Sequence, residues 1–253
     1  MKKHDMTESV YFFTFHKCAD KLFSDLVLKN VDGLLNRDYA FEIFSGKRRP
    51  QNNLRFQDNG FVYGPIRISA DDKGPIYRNL VIPTIDHGFI KDKIALFLVR
   101  DPRDIMVASY YSFGASRELS TVKEIRRNQQ ARREKIRGQT LDEYVLDTVG
   151  RQKKLFGVLY DVASACDRSK ILKYEDLLND FDLFSNQLLK FVSVSDVVIR
   201  RLYEISRPRQ NEEFPPDRIV VQFQGFRDSL EEKTVEILND KLAETLGLFG
   251  YDK

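Results

Sequence analysis

The stretch "LFLVRDPRDIMVASYYS", Leu96 to Ser112, changes character at Arg100. Up to that point it is apolar. Ile94 to Val99, "IALFLV", has no polar residue, which predicts a strand buried on both faces of a parallel sheet. After it, Asp101 is placed to cap a helix. Pro102 fits the first helical position, and Asp104 puts an acid in the first turn, so a helix is predicted from about Pro102 to Phe113. Arg100 therefore leaves the strand at its carboxyl end, where open parallel sheets bind their ligands. Its rigid planar fork suits a phosphate. The plainer reading is a capped helix whose arginines pair with Asp101 and Asp104. The two readings are compatible, because a cap also positions a loop.

The same pattern occurs nearer the start. Val10 to Phe15 reads as a buried strand, and Ala19 to Leu28 has apolar residues at Leu22, Phe23, Leu26 and Val27, a helical spacing. Between them lies "HKCADK". A strand-to-helix turn presents unbonded N–H groups and the positive end of a helix dipole, hence an anion site, and Lys17 adds a mobile charge. The pattern is not G-x-x-x-x-G-K-[ST]. No hydroxyl follows Lys17 to hold Mg²⁺, which disfavours ordinary ATP or GTP hydrolysis. Cys18 as a thiolate nucleophile is a second reading. Against it, Ser24 stands where a phosphotyrosine phosphatase loop needs an Arg. By itself this turn leaves an anion site and an ordinary turn with a small buried Cys both open.

Elsewhere Tyr39 to Phe44 is a candidate second strand, Gly46 to Gly60 a loop, and Gly64-Pro65 and Gly74-Pro75 mark irregular chain. Val122 to Gly138 is a strongly basic helix, read first as a solvated face and alternatively as a guide for anionic substrates. Leu141 to Cys166 is a long amphipathic helix, and Lys170 to Tyr174 a short strand. Further helices are expected over Phe181 to Val192, Ser195 to Ser206 and Leu230 to Leu246. Buried strands alternating with helices predict an α/β protein of three layers, with a central parallel β-sheet flanked by helices. A length of 253 residues suits one domain, 1–253.

A net charge of +3 over this length does not call for nucleic acid. Cys18 and Cys166 show neither metal-ligand spacing nor a disulfide framework, which points to a reducing, cytoplasmic setting. The first residues lack the pattern of a signal peptide, and the longest later apolar run, Ile94 to Val99, is far too short to span a bilayer.

Taken together, "FHKCADKLF" and "VRDPRDIMVASYYS" resemble two motifs of the PAPS-dependent sulfotransferases (PAPS is 3′-phosphoadenosine 5′-phosphosulfate). Their order, separation and strand-to-helix contexts agree with the family. "ILKYEDLL" at Ile171 to Leu178 is similar to a frequent strand end of the family, and "GFRDSL" at Gly225 to Leu230 to its closing segment. The resemblance covers essentially the whole chain and implies a fold like that of the P-loop NTPases. Two departures stand out. Ala19, Asp20 and Lys21 replace a usual Gly-Thr-Thr. Ala108 occupies the usual position of the 3′-phosphate Ser, with Ser109 one residue later, a turn of about 100° around a helix.

The resemblance implies transfer of a sulfuryl group from PAPS, a co-substrate, to a hydroxyl or amine of a small-molecule or carbohydrate acceptor, without a metal. Lys17 would stabilise the leaving PAP, the desulfated nucleotide. His16 to Leu22 (His16, Lys17, Cys18, Ala19, Asp20, Lys21, Leu22) would cradle the 5′-phosphate, and Arg100 with Ser109 the 3′-phosphate. Gly225, Phe226 and Arg227 would complete the nucleotide contacts. His87 is the implied general base, with His16, Asp86 and Glu42 as alternatives, and Arg67, Arg78 and Asp86 lie on the implied acceptor side. A non-catalytic PAP-binding protein of the same fold, or a P-loop-like nucleotide kinase, are the alternative functions. Acceptor identity and oligomeric state are not readable.

Overall fold

A computed structural model describes residues 7–48, 55–67, 87–207 and 225–252, the side chains of residues 87 and 116 excepted. The chain divides into two compact units. The first comprises Met1–Ile43, Lys47–Val99 and Asp161–Pro208; the second comprises Phe44–Gly46, Arg100–Tyr160 and Arg209–Lys253.

The first unit holds a five-stranded sheet, ordered β2-β3-β1-β4-β5. Its strands are β1 (Val10–Thr14), β2 (Leu35–Arg37), β3 (Phe61–Arg67), β4 (Ile94–Val99) and β5 (Arg168–Lys173). All four pairings are parallel. β1 is buried at every position, and β4 at all but its first. That is why β4 reads as an unbroken apolar run and β1 as one apart from Thr14: a strand covered on two faces has no solvent side to mark with polar residues. Val10 pairs with Ile94 and Thr14 with Leu98, and the buried Thr14 hydroxyl donates to the Leu98 carbonyl at 2.9 Å. β1 and β4 therefore end level. Aromatic stacking fills the core around them, with Phe13 on Phe97 at 4.7 Å and Phe12 on Phe23 at 5.3 Å. Each such pair adds about 0.5–1.5 kcal/mol beyond burial.

The helix after β1 starts as α1 (Asp20–Leu22), then passes through a π turn, Phe23–Val27, and a 3₁₀ turn, Leu28–Asn30. Other helices of this unit are α2 (Tyr39–Phe44), α3 (His87–Ile90), α7 (Tyr174–Asn179), α8 (Phe181–Leu189) and α9 (Asp196–Ser206).

Two expectations are overturned here. Tyr39 to Phe44 is a helix, not a strand. The Asp38 carboxylate accepts from the Phe41 N–H at 2.8 Å, capping the first turn, and Ala40 and Ile43, three apart, face the core. The neighbouring strand is instead the three-residue β2. Gly64-Pro65 does not interrupt the sheet either: it lies inside β3, where the register with β1 shifts between Tyr11 and Phe13. A Cβ on Gly64 would sit 2.7 Å from the Phe12 carbonyl oxygen, so glycine is required by the close approach of two backbones.

The second unit is helical. It contains α4 (Pro102–Tyr111), α5 (Lys123–Arg137), most of α6 (Leu141–Ser164), α10 (Gly225–Ser229), α11 (Glu232–Lys241) and α12 (Ala243–Phe249). Its core joins Met106, Val107 and Phe113 to Val145, Phe226 and Leu238. The basic helix α5 is more than a solvated face. Arg126 donates to the Ser120 carbonyl at 2.8 Å and Arg137 to the Gly114 carbonyl at 2.9 Å, while Arg133 donates to the Arg117 carbonyl. These arginines satisfy carbonyls of the π turn Ser112–Ser116, which ends α4, and of the segment after it.

No helix among the described residues is long and apolar enough to cross a membrane.

Candidate functional site

The two polar breaks noticed in the sequence are each built by one unit. In the first unit the break is the loop from Phe15 to Ala19, immediately after β1. Phe15 and Cys18 are buried and anchor it from below. Between and beyond them, Lys17 and Ala19 both take left-handed backbone conformations, with φ of 72° and 53°. Each costs a non-glycine residue roughly 1–2 kcal/mol. Alternation of left- and right-handed residues turns successive N–H groups toward one side of the chain, the arrangement that makes anion-binding concavities. Ala19 leads directly into α1, and its carbonyl accepts from the Phe23 N–H at 2.9 Å. An alanine is held here in a conformation that glycine adopts without steric cost.

Asp20 is neutralised within the same unit. The Arg67 Nε and Nη2 both donate to its Oδ2, at 3.0 and 2.7 Å, and His16 Nδ1 lies 3.8 Å from the same oxygen. Burial alone would favour the neutral acid, but the Arg67 guanidinium and His16 hold the carboxyl far below the usual carboxylate range. The Lys21 side chain is 92% exposed and pairs with Asp25 at 3.3 Å. Arg67, expected on the acceptor side, is committed to Asp20.

Sequence reasoning passed over Asp38. It follows β2 as Lys17 follows β1 and Arg67 ends β3, and these three strands are adjacent in the sheet. Burial pushes its carboxyl up to about 6, with Asp20 and Glu42 adding to the rise and Arg67 and the Phe41 N–H opposing it. The signal was available: an Asp before a helical i, i+3 apolar pair is a cap pattern. Glu42 itself is engaged by Arg37 at 3.2 Å and Arg48 at 2.6 Å.

In the second unit the break is the turn after β4. The Asp101 carboxylate caps α4 by accepting from the Arg103 N–H at 2.9 Å, and Pro102 opens the helix, as the sequence predicts. Arg103, only 2% exposed, grips Asp101 through two further bonds of 3.0 and 2.6 Å. It also donates to Asn239 Oδ1 and the Asp252 carbonyl, each at 2.6 Å. Arg100 is buried, with Nη2 3.9 Å from Asp104. Asp104 in turn accepts from the Phe226 N–H at 3.0 Å. The Phe226 ring is fully buried, with the Arg103 guanidinium 4.3 Å and the Arg227 guanidinium 5.1 Å from its centre. Arg100 and Gly225 to Arg227, far apart in sequence, are thus joined through one carboxylate. Ser109 is buried in α4, and so is Ala108 beside it.

His87 opens α3, and its side chain lies outside the described residues, as do Arg78 and Asp86. Among the described residues, no three His, Cys, Asp or Glu side chains cluster so as to hold a metal ion.

No family model matches the chain, and no curated protein matches it. Solved structures do. Mouse sulfotransferase SULT7A1 complexed with PAP aligns with a TM-score of 0.60 at 11% identity, over 97% of this chain and 89% of that one. Retinol dehydratase in a complex with retinol and PAP aligns over 94% of this chain and 81% of that one, at 16% identity and a TM-score of 0.43.

Proposed function

We propose that this chain, which has the sulfotransferase fold of a central parallel five-stranded sheet flanked by helices, is a PAPS-dependent sulfotransferase of a single functional domain, acting on a hydroxyl or amine of a small-molecule or carbohydrate acceptor. The observation that supports the reading is the loop after β1. Two left-handed non-glycine residues, Lys17 and Ala19, flank Cys18 at the carboxyl end of a central strand, and Arg67 pairs with Asp20, a negative charge that would oppose an anion there.

PAPS, when bound, supplies the sulfuryl group and a phosphate leaving group. Lys17 would neutralise the charge that gathers on the oxygen bridging sulfur and phosphorus as that S–O bond breaks. The backbone N–H groups of Cys18 to Leu22 would hold the 5′-phosphate; with no hydroxyls at Ala19, Asp20 or Lys21, the backbone carries this task. Arg100, with Ser109, would hold the 3′-phosphate, and Gly225 to Arg227 would support it through Asp104. A general base must take the acceptor proton as the new S–O or S–N bond forms. His87 has the place in the chain that the resemblance implies. Asp38 has the observation: a carboxyl pushed up to about 6 beside the Arg67 pair.

Incubation with labelled PAPS and an acceptor library tests the proposal. Sulfated product should form with one PAP released per transfer, and PAP alone should raise the thermal midpoint. No product and no PAP-induced shift would overturn it. A shift without product from any acceptor would favour the non-catalytic binding protein. Under turnover, Asp38→Asn should remove an activity arm near pH 6 if Asp38 is the base; an unchanged arm returns the role to His87.

A further inference from the structure

Beside the sheet edge the first unit carries a second cationic feature that sulfuryl transfer does not use. A surface recess of about 220 Å³ is lined by three arginines, Arg37, Arg48 and Arg55, and three aromatic rings, Tyr39, Phe61 and Tyr63. The guanidiniums are laid against the rings: Arg48 lies 4.7 Å from the Tyr39 ring centre and Arg37 5.8 Å from that of Phe61. The rings also order one another, with Phe61 stacked on Tyr63 at 5.5 Å and Tyr39 on Tyr63 at 6.0 Å.

The recess is held open by polar bonds rather than collapsed. The Tyr39 hydroxyl donates to the Arg55 carbonyl, and the Tyr63 hydroxyl accepts from the Gln57 N–H at 2.7 Å. These two bonds fix residues 55–57 against α2 and β3. Among the described residues its arginines outnumber the carboxylates they pair with. Among the described residues Glu42 is the one carboxylate in ion-pair contact with these arginines, reaching Arg37 and Arg48. Arg55 is exposed and has no carboxylate partner among them. Three guanidinium forks facing one carboxylate leave most of their donors for an anion, and forks of this kind match oxyanions bidentately. The half-buried Tyr39 and Phe61, backed by the buried Tyr63, add apolar ring surface that suits a flat apolar body.

We propose that this recess binds an aromatic ring bearing an oxyanion, the class of aryl phosphates, sulfates and carboxylates. Its volume, below the range of drug-sized pockets, fits one ring and one anionic group. The site goes beyond the transfer reading and does not depend on it.

Titration calorimetry of the full chain with phenyl phosphate tests it. One saturable site is expected. Phenol and inorganic phosphate, each presenting half of the ligand, should bind at least about tenfold more weakly, the loss of one good interaction. Arg48→Gln and Arg55→Gln should each weaken phenyl phosphate by about tenfold. Arg55 is exposed, so its variant keeps the fold, checked by an unchanged thermal midpoint. Lys17→Ala should leave this binding unaltered, and PAP should not compete. Wild-type affinity in Arg55→Gln, equal affinity for inorganic phosphate, or loss of binding in Lys17→Ala or under PAP would each overturn the proposal. PAP binding that fails while phenyl phosphate binds as described would count against the transfer reading alone.

Discussion

The loop after β1 and the turn after β4 both follow a strand buried almost throughout, yet they are held in different ways. The turn after β4 is over-determined. Asp101, Arg103 and Asp104 are all at least 95% buried, and six hydrogen bonds described above tie them to α4, Phe226, Asn239 and Asp252. The loop after β1 holds two residues in left-handed conformations, and Arg67 pairs there with Asp20, the two side chains being 24% and 18% exposed. The first is tied by buried polar bonds; the second carries left-handed strain above a buried Phe15 and Cys18.

Substitutions separate these two modes. The largest stability effect is expected in the turn after β4. Arg103→Ala leaves Asp101 buried and uncompensated, at a cost of about 3–5 kcal/mol, read by urea denaturation. A loss below ~1 kcal/mol would show that the network is not what holds the turn. In the loop after β1, Asp20→Asn breaks a partly exposed pair and should cost less, about 1–3 kcal/mol after allowing for solvent.

The pH dependence sharpens the same contrast. Asp20 is held far below its ordinary value, so its contribution is fully present above about 3.8 and is lost as the pH falls further. Asp38 has the opposite sign. Its carboxyl is raised to about 6, so ionising it opposes folding, and stability should rise as the pH is lowered from 7 towards 4. Asp38→Asn keeps a capping side chain and should lose this rise; a pH profile identical to wild type would refute the assignment. The smallest effect is Ala19→Gly. Relief of the left-handed strain should stabilise the chain by about 0.5–1 kcal/mol, against the greater freedom of glycine when unfolded. Destabilisation would mean the loop is not strained there.

The second region was legible because its signals are local. An apolar strand, an Asp cap, a Pro at the first helical position and an Arg at the junction all fall within about ten residues of one another. The long helices α5 and α6 were legible from periodicity for the same reason. What escaped is contact between distant residues. Nothing near Asp20 announces Arg67, 47 residues away. β2 has three residues, too few for a period, and the Gly64-Pro65 turn signal masked Phe61 to Tyr63, an aromatic and β-branched run that reads as a strand without it. In "YAFEIF" the apolar residues fit either period, and the Asp38 cap decides for the helix.

The central claim is that the loop after β1 performs the transfer and Lys17 supplies its charge. Single-turnover transfer from labelled PAPS, compared between wild type and Lys17→Ala at matched thermal stability, tests it most directly. The account predicts a rate lower by about a hundredfold or more, the scale of losing one preorganised charge at a leaving oxygen, with PAP still bound. An undiminished rate in the folded variant would contradict it.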